Sequence, residues 1–210
     1  MDVDVLVVGG GLSGCLVALM LAREGRAVLV LEKDALSGKA SGANAGSIHL
    51  QVPYAEFVSL GEDWARGFAS VIPMLQDSVA LWHALATELP TDIELSVKGG
   101  IIVARTEAQM ARIARKVAIE RSAGLAVELL DARSLAVAAP YVSEAMIGGA
   151  ICPAEGKANP LRTGPAIAAA ARAAGARLSE GCALLALERD GAAWRASTTA
   201  GPVRAGAVVN

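Results

Sequence analysis

A glycine-rich turn directly after the first apolar run limits the possible fold of this chain more than any other feature. The residues from Val3 to Val8 are apolar except for Asp4, and the residues from Gly9 to Gly14 read GGGLSG. An apolar run this short is typical of a buried strand, and the glycines that follow predict a tight turn at its end. We therefore expect a strand and a glycine turn at the start of the chain.

An amphipathic helix is predicted after the turn. Five apolar residues recur there at helical spacing, namely Leu12, Cys15, Leu16, Leu19 and Met20. Gly25 can end the helix in a left-handed cap. The apolar run from Ala27 to Leu31 predicts a second strand, and Glu32 follows it, 23 residues after Gly9. This is near the spacing of a dinucleotide-binding strand–helix–strand unit.

The residues of the turn have separate physical roles in binding an adenine dinucleotide. Gly9 allows the tight turn, Gly11 lets the backbone approach a pyrophosphate, and Gly14 permits close packing of helix on strand. Leu12 and Ser13 begin the helix, where unpaired N–H groups attract phosphate. Glycine turns also join ordinary strands to helices, but the complete unit with its terminal acid favours the dinucleotide.

Two charged residues at the end of the second strand complete this prediction. The Glu32 carboxylate can accept hydrogen bonds from a ribose. Lys33 lies next to it, either near the adenine and its ribose or as an ordinary solvated lysine at a strand end. We include both residues in the candidate cofactor site.

Composition excludes several other classes of protein. The 19 basic and 21 acidic residues give a net charge of -2, without the basic block that nucleic-acid binding requires. Three widely spaced cysteines and two histidines predict neither a disulfide framework nor a metal site. No apolar run is long enough to span a membrane. The N-terminus lacks signal-peptide features, so we expect a cytoplasmic protein, either free or peripheral at the inner face of the membrane.

A loop of small residues follows the second strand, from Ser37 to Ser47. Small side chains leave backbone N–H groups accessible and let the chain pass close to a flat ligand. This loop resembles the flavin-contacting loop of the D-amino-acid oxidase family, the FAD enzymes that include sarcosine oxidase, glycine oxidase and D-amino-acid dehydrogenases. The resemblance implies FAD as the cofactor. The loop residues that it assigns to the cofactor are Ser41, Asn44, Ala45 and Gly46.

His49 follows this loop and is the histidine best placed to approach a flavin ring. Its position does not match the histidine through which some members of the family attach flavin. We therefore expect FAD to bind without a covalent link, and His49 to have an ordinary structural role.

A second block, from Ala145 to Pro160, resembles that family's return from its substrate domain to its flavin domain. Asn159 can cap a helix with Pro160 at its first position, and Gly175 can end that helix. Residues 181–210 resemble the later part of the flavin domain. There Leu184 occupies the place usually taken by a valine beside the adenine.

The middle of the chain predicts an inserted α+β segment. Residues 60–89 are expected to be helical, with Pro73 near a helix start. A pair of strands is expected within residues 93–104. Thr106 and Gln109 form a capping box for a helix that reaches Gly124. Asp131 can cap a further helix.

The predicted fold is therefore α/β, a Rossmann-like FAD-binding domain with an inserted α+β substrate-domain segment. We expect the first part of the FAD-binding domain at residues 1–89, the inserted segment at 90–145 and the second part at 146–210. Members of the family continue well beyond the position of Asn210. The chain is thus expected to be an N-terminal piece of a longer protein, with the carboxylate-binding arginine outside it.

The resemblance implies an oxidoreductase that acts on the C–N bond of a small amine or D-amino acid. Hydride passes from the carbon next to nitrogen to flavin N5, and the resulting imine hydrolyses. Such a reaction requires orientation and a dry pocket more than an acid–base pair, so we assign no catalytic residue. Oxygen, a quinone or a partner subunit can accept the electrons. The alternative is a non-catalytic FAD-binding fragment or subunit that needs a C-terminal half or a partner.

Overall fold

The structure is a computed structural model that describes residues 1–210. Its strands are β1 Asp2–Val8, β2 Val28–Leu31, β3 Ser47–Ile48, β4 Gly100–Ala104, β5 Glu128–Asp131, β6 Gly148–Cys152, β7 Gly156–Lys157, β8 Arg177–Ser179, β9 Leu184–Asp190, β10 Ala193–Thr198 and β11 Gly201–Val209. Its helices are α1 Leu12–Arg23, α2 Tyr54–Ala69, α3 Ile72–Glu88, α4 Glu107–Ser122, α5 Ala132–Ala138 and α6 Pro160–Ala173.

The chain forms two compact units, each built from separate segments. Unit 1 contains residues 1–46, 86–94 and 158–210. Unit 2 contains residues 47–85 and 95–157. Each unit has a hydrophobic core of its own.

Unit 1 is built on one six-stranded sheet in the order β8-β2-β1-β11-β10-β9. The first four of these strands are parallel, whereas β10 and β9 are antiparallel to their neighbours. All four residues of β2 are buried, as expected for a strand covered on both faces. The predicted strand–helix–strand unit is therefore present, and the mixed α/β class with a parallel sheet is confirmed.

The helices of unit 1 begin and end near the predicted signals. Gly25, with φ of 77°, follows the end of α1. Asn159 caps α6 by accepting a hydrogen bond from the Leu161 N–H at 3.0 Å. The buried face of α1 differs from the predicted one, because Met20 is 50% exposed while Ala18 and Ala22 are buried. These alanines carry little apolar surface, so their place in the core is hard to recognise from hydropathy, but their small size permits close helix packing.

Unit 2 has a three-stranded antiparallel sheet, β4-β6-β5, and a two-stranded sheet, β3-β7. The predicted strand pair within residues 93–104 does not form. Gly99, with φ of 99°, turns the chain before β4, and β4 pairs with β6 instead. Ser96 forms an isolated bridge with Lys157.

The helices of unit 2 confirm most of the predicted boundaries. Thr106 and Gln109 form both hydrogen bonds of a capping box at the start of α4, and Asp131 accepts from the Ser134 N–H to cap α5. The helical stretch expected over residues 60–89 forms two helices, α2 and α3. The second begins at Ile72 with Pro73 in its first turn, where the missing N–H of proline is tolerated.

The compact units divide the chain differently from the expected boundaries at 89/90 and 145/146. Residues 47–85 belong to unit 2, where α2 packs against α4. Residues 146–157 also belong to unit 2, because β6 pairs with both β4 and β5. Hydrogen-bonded pairing across a sheet cannot be read from a local sequence pattern, and this explains the shift. No helix is long and apolar enough to cross a bilayer.

Candidate functional site

The glycine turn of unit 1 depends on glycine at several positions for different reasons. Gly9 has φ of 105°, which favours glycine, and its N–H donates to the Leu31 carbonyl at 2.8 Å. A Cβ on Gly14 would lie 2.0 Å from the Gly9 carbonyl oxygen and 3.3 Å from Val7. The first turn of α1 therefore packs directly on the end of β1, as predicted for Gly14.

The N-terminus of α1 is open to an anion. Gly11 is the N-cap residue and forms no side-chain cap, and the first turn contains no acidic residue. The Leu12 N–H donates to Ser41 Oγ at 2.9 Å, so the small-residue loop lies against the start of the helix. Ser13, next in the chain, is exposed. The partial positive charge of a helix N-terminus favours a phosphate at this point.

The Glu32 carboxylate connects the end of β2 to the glycine turn. One oxygen accepts the Gly10 N–H at 2.8 Å, and the other accepts the Asp34 N–H at 2.8 Å. A Cβ on Gly10 would lie 2.8 Å from the Glu32 Cβ. Gly10 was not among the predicted site residues, although its place within GGGLSG was the available signal. Lys33 is exposed beside Glu32.

The small-residue loop is held in shape by its own asparagine. The Asn44 amide donates to the carbonyls of Ala40 and Ser41 at 2.9 and 2.8 Å, and its oxygen accepts the Gly46 N–H at 2.7 Å. Ala45 is exposed between them. These bonds close a compact turn whose outer surface is made of small side chains and backbone, which suits contact with a flat ligand.

Gly46 ends the loop in a conformation that only glycine adopts readily. Its φ is 70°, and a Cβ there would lie 1.9 Å from the carbonyl oxygen of Ala158. The Ala158 N–H donates to the Gly46 carbonyl at 2.9 Å. The loop is therefore fixed directly to the second block that the sequence singled out.

Leu184 is positioned through the backbone near Glu32. The Cys182 N–H donates to the Glu32 carbonyl at 2.8 Å, and Leu184 begins β9 two residues later. Its side chain packs against the cluster that contains Leu31 and Cys182. Leu184 is thus brought toward the same end of β2 as Glu32.

Ser37 was predicted only as the first residue of the small-residue loop, not as a separate site residue. It is buried with φ of 55°, and its Oγ has no hydrogen-bond partner. Its N–H donates to the Gly10 carbonyl at 2.9 Å, and a Cβ on Gly164 would lie 2.3 Å from its Oγ. A left-handed, buried serine has no signature in the local sequence.

Cys15 lies under the turn as a buried apolar group. Its Sγ is 3.5 Å from the Gly10 carbonyl oxygen. Burial raises the pKa of this thiol to about 11, with Arg172 opposing that shift. The thiolate is therefore scarce at neutral pH, and we assign Cys15 no chemistry.

The turn and loop together fit the diphosphate and ribose of an adenine dinucleotide. A helix N-terminus whose N-cap residue has no side chain, a glycine-rich turn and a carboxylate at the end of the adjacent strand lie within one hydrogen-bonded group of residues. The site has no group of three or more His, Cys, Asp or Glu residues arranged to hold a metal ion. Its chemistry is that of backbone N–H groups and one carboxylate.

His49 lies in unit 2, outside this group of residues. Its side chain is 74% exposed, with Nδ1 3.8 Å from Glu155 Oε1. It borders a cleft of about 320 Å³ that also contains Ser47, Ser96, Lys98, Glu155 and Lys157. No base is paired with a nucleophile there, so the structure adds no catalytic assignment.

Comparison with known proteins gives one family and consistent relatives. The model of the family described as FAD dependent oxidoreductase (DAO) matches residues 4–210. Glycine oxidase of Geobacillus kaustophilus is 31% identical over 211 residues, which cover 98% of this chain and 53% of that protein. One of the subunits of the opine oxidase of Rhizobium meliloti is 29% identical over 166 residues, covering 76% of this chain and 42% of that protein.

The solved structures agree with this result. The crystal structure of the Geobacillus kaustophilus glycine oxidase superposes with a TM-score of 0.86 and 31% identity, covering 99% of this chain and 54% of that one. This chain therefore spans about half the length of the relatives it matches.

Proposed function

The chain belongs to the DAO family of FAD-dependent oxidoreductases, and we propose that the complete protein oxidises the C–N bond of an amine or D-amino acid. FAD is its cofactor. The substrate loses two electrons and a proton as hydride from the carbon next to nitrogen. Water then adds to the iminium that remains, and the products are a carbonyl compound, the released amine or ammonia, and a proton.

The observation that carries this proposal is the uncapped N-terminus of α1 beside the glycine turn. We assign the backbone from Gly9 to Gly14 to the pyrophosphate, because the N-cap residue Gly11 has no side chain and the first turn of α1 carries no acidic residue. When bound, FAD supplies a two-electron acceptor for the hydride. Gly10 and Gly14 keep the turn close to β1 and β2, and this closeness fixes where the diphosphate lies.

Glu32 and Leu184 hold the adenosine part in this proposal. The Glu32 oxygens each accept one backbone N–H and retain lone pairs for a ribose hydroxyl. Leu184 offers an apolar surface to the adenine, and Lys33 lies beside the ribose. Ser41, Asn44, Ala45 and Gly46 present the small-residue loop to the flavin end.

An amine or amino acid is the substrate class favoured by the relatives. The names glycine oxidase and opine oxidase both describe proteins that act on amino acids or their N-substituted derivatives. For the electron acceptor we keep oxygen, a quinone and a partner subunit as the candidates. These electron acceptors differ in how they reach the reduced cofactor, so an assay that supplies each of them in turn distinguishes them.

The test is a reconstitution followed by a turnover assay. The protein encoded by the complete gene is freed of flavin, titrated with FAD while flavin fluorescence is followed, and then supplied with a panel of amines and D-amino acids. Reduction of a dye acceptor by one substrate class is the expected result. Tight FAD binding without turnover, with any substrate or added partner, would replace the proposal with the alternative of a non-catalytic FAD-binding subunit.

A further inference from the structure

A buried network of charged and amide groups lies in unit 2, outside the glycine turn. It consists of Gln51, Lys116, Glu120 and Glu155, which come from three separated parts of the chain. Lys116 and Glu120 are completely buried, and Glu155 and Gln51 are only 3% and 7% exposed. Groups of this kind are rarely buried unless they are paired.

The side chains form a hydrogen-bonded series with a fixed direction. Lys116 Nζ donates to Glu120 Oε1 at 2.6 Å and to Gln51 Oε1 at 3.1 Å. Gln51 Nε2 donates to Glu155 Oε2 at 2.9 Å. The Gln51 amide therefore has an ammonium group at its oxygen and a carboxylate at its nitrogen, so only one orientation of the amide satisfies both neighbours.

Both carboxylates also hold one short stretch of backbone. Glu155 Oε1 accepts the N–H groups of Leu50 and Gln51 at 2.7 and 2.8 Å. Glu120 Oε1 accepts the Val52 N–H at 2.7 Å. Three consecutive N–H groups are thus bound by buried carboxylates instead of by backbone carbonyls, and hydrogen bonds to charged acceptors are stronger than neutral ones.

This stretch continues directly from the small-residue loop. Gly46 ends the loop, Ser47 and Ile48 form β3, and Leu50 follows two residues later. β3 pairs with β7, and Glu155 immediately precedes β7. The carboxylate therefore adds two hydrogen bonds, to the Leu50 and Gln51 N–H groups, next to the pairing of these two short strands.

Burying this network costs folding free energy, so fold stability alone does not explain its presence. Buried ion pairs seldom stabilise a fold more than apolar residues of the same volume would. Glu120 Oε2 is also buried without a hydrogen-bond partner. A Cβ on Gly100 would overlap Glu155 Oε2, so the sequence keeps a glycine where the carboxylate lies. These features point to a requirement for one defined backbone conformation at residues 50–52.

We propose that Gln51, Lys116, Glu120 and Glu155 are positioning residues that fix the chain where it leaves the flavin loop. The inference rests on the proposed function, because it takes the loop ending at Gly46 to contact FAD. Glu120 and Glu155 bond the backbone of residues 50–52, and Lys116 and Gln51 bond these carboxylates. All four act on the cofactor only through the continuous chain. Their effect is to restrict the conformations that the end of the loop can adopt.

Glu155→Gln tests this with almost no change in volume. The new amide group must place its NH2 either toward the Leu50 and Gln51 N–H groups or toward Gln51 Nε2, and in both cases a donor meets a donor. Rotation of Gln51 by half a turn only moves the conflict to Lys116. We expect the FAD dissociation constant of the complete holoenzyme to rise about tenfold or more, since hydrogen bonds to a charged group are lost. The exposed Glu144→Gln in the same unit is the matched control and should change nothing.

Two readouts separate positioning from a purely structural role. Hydrogen exchange at the amides of residues 50–52 should accelerate about tenfold or more relative to β4 and β6, and the flavin absorption band should shift. Faster exchange spread evenly over unit 2, with FAD affinity and spectrum unchanged, overturns the proposal. If Glu155→Gln does not fold, Gln51→Met is the second variant, because it leaves all three backbone hydrogen bonds to the carboxylates. It should give the same changes at smaller amplitude. No change at all in this variant overturns the proposal. A wild-type protein that binds no FAD would instead show the proposed function to be wrong.

Discussion

The glycine turn of unit 1 and the buried network of unit 2 solve opposite physical problems. The turn from Gly9 to Gly14, which we propose binds the pyrophosphate, has glycine at four of its six positions, so that an anion can approach its backbone closely. The network places four polar side chains where little solvent reaches them. The glycine turn is therefore sensitive to any added atom, and the buried network to the loss of any charge or hydrogen-bond donor.

The largest effect is expected from removal of the only cation in the network. Lys116→Met leaves the carboxylates of Glu120 and Glu155 buried without an ammonium group. Breaking a buried pair in this way costs about 3–5 kcal/mol of unfolding free energy. Urea unfolding followed by circular dichroism measures the loss.

The double variant Lys116→Met with Glu120→Gln sharpens this result. Its uncharged amide can still accept the Val52 N–H, so we expect it to be more stable than Lys116→Met alone. A double variant that is as unstable as the sum of the single changes would contradict the electrostatic explanation, because it would show no coupling between the two positions.

The glycine turn should respond most to a single methyl group. In Gly14→Ala the new Cβ would meet the Gly9 carbonyl oxygen at 2.0 Å, which backbone atoms cannot relieve by a rotamer change. We expect a loss of about 3 kcal/mol in unfolding free energy and loss of FAD binding, since overpacked sites of this kind must shift their backbone. Thermal unfolding and flavin titration measure both effects.

Gly67→Ala is the matched control for that change. No atom lies within 4 Å of the position of its Cβ, and it lies within the helix α2. Alanine favours a helix over glycine by about 1 kcal/mol or less, so the control should be neutral or slightly more stable. Equal losses from both variants would remove the steric argument for Gly14.

A smaller effect is expected at Glu32, which belongs to the glycine turn but, like the network, binds backbone N–H groups through a carboxylate. Glu32→Gln retains an oxygen for one of the Gly10 and Asp34 N–H groups but turns an NH2 toward the other. FAD affinity should fall about tenfold because a charged acceptor is lost for both the ribose and the turn. Calorimetric titration of the flavin-free protein gives the affinity, and an unchanged value would remove Glu32 from the site.

The smallest effect is a dependence of stability on pH. Burial raises the pKa of Glu120, and the interactions with Lys116 and Val52 oppose this shift only in part. Because the folded state holds this proton more tightly than the unfolded state, stability from Glu120 is fully present below its unfolded pKa and is lost as pH rises through the folded pKa.

Glu120→Gln should therefore flatten the stability profile above the usual pKa of a glutamate, which is about 4.3. Unfolding free energies measured from about pH 4 to about pH 8 in wild type and variant give the comparison. Identical slopes in the two proteins would mean that Glu120 does not hold the proton in this range.

The same contrast explains what could be predicted from sequence. The glycine turn, its helix and Glu32 lie within one short stretch, so spacing alone predicted the strand–helix–strand unit. Local signals also predicted the capping box at Thr106 and the helix start at Asn159. Each of these features depends on residues only a few positions apart.

The network could not be predicted because its members are distant in the chain. Nothing in the sequence around Gln51 indicates that it is buried, and nothing near Lys116 indicates that it pairs with Glu120 in a core. Ser37 escaped for a related reason, since burial and a left-handed backbone depend on packing. The pairing of β4 with β6, and not with residues 93–98, likewise depends on residues that are far apart in the chain.

The sheet register of unit 1 has a consequence for how the protein is made. Asp2 of β1 pairs with Arg204 of β11, so a central strand receives one neighbour only after nearly all of this sequence has been translated. Ribosomes add about 5–20 residues per second, so the nascent β1 waits on the order of ten seconds or more with an open edge. Such a high contact order slows folding and exposes an apolar strand to other chains. We expect the need for chaperones and the temperature sensitivity of expression to depend on this pairing of β1 with β11.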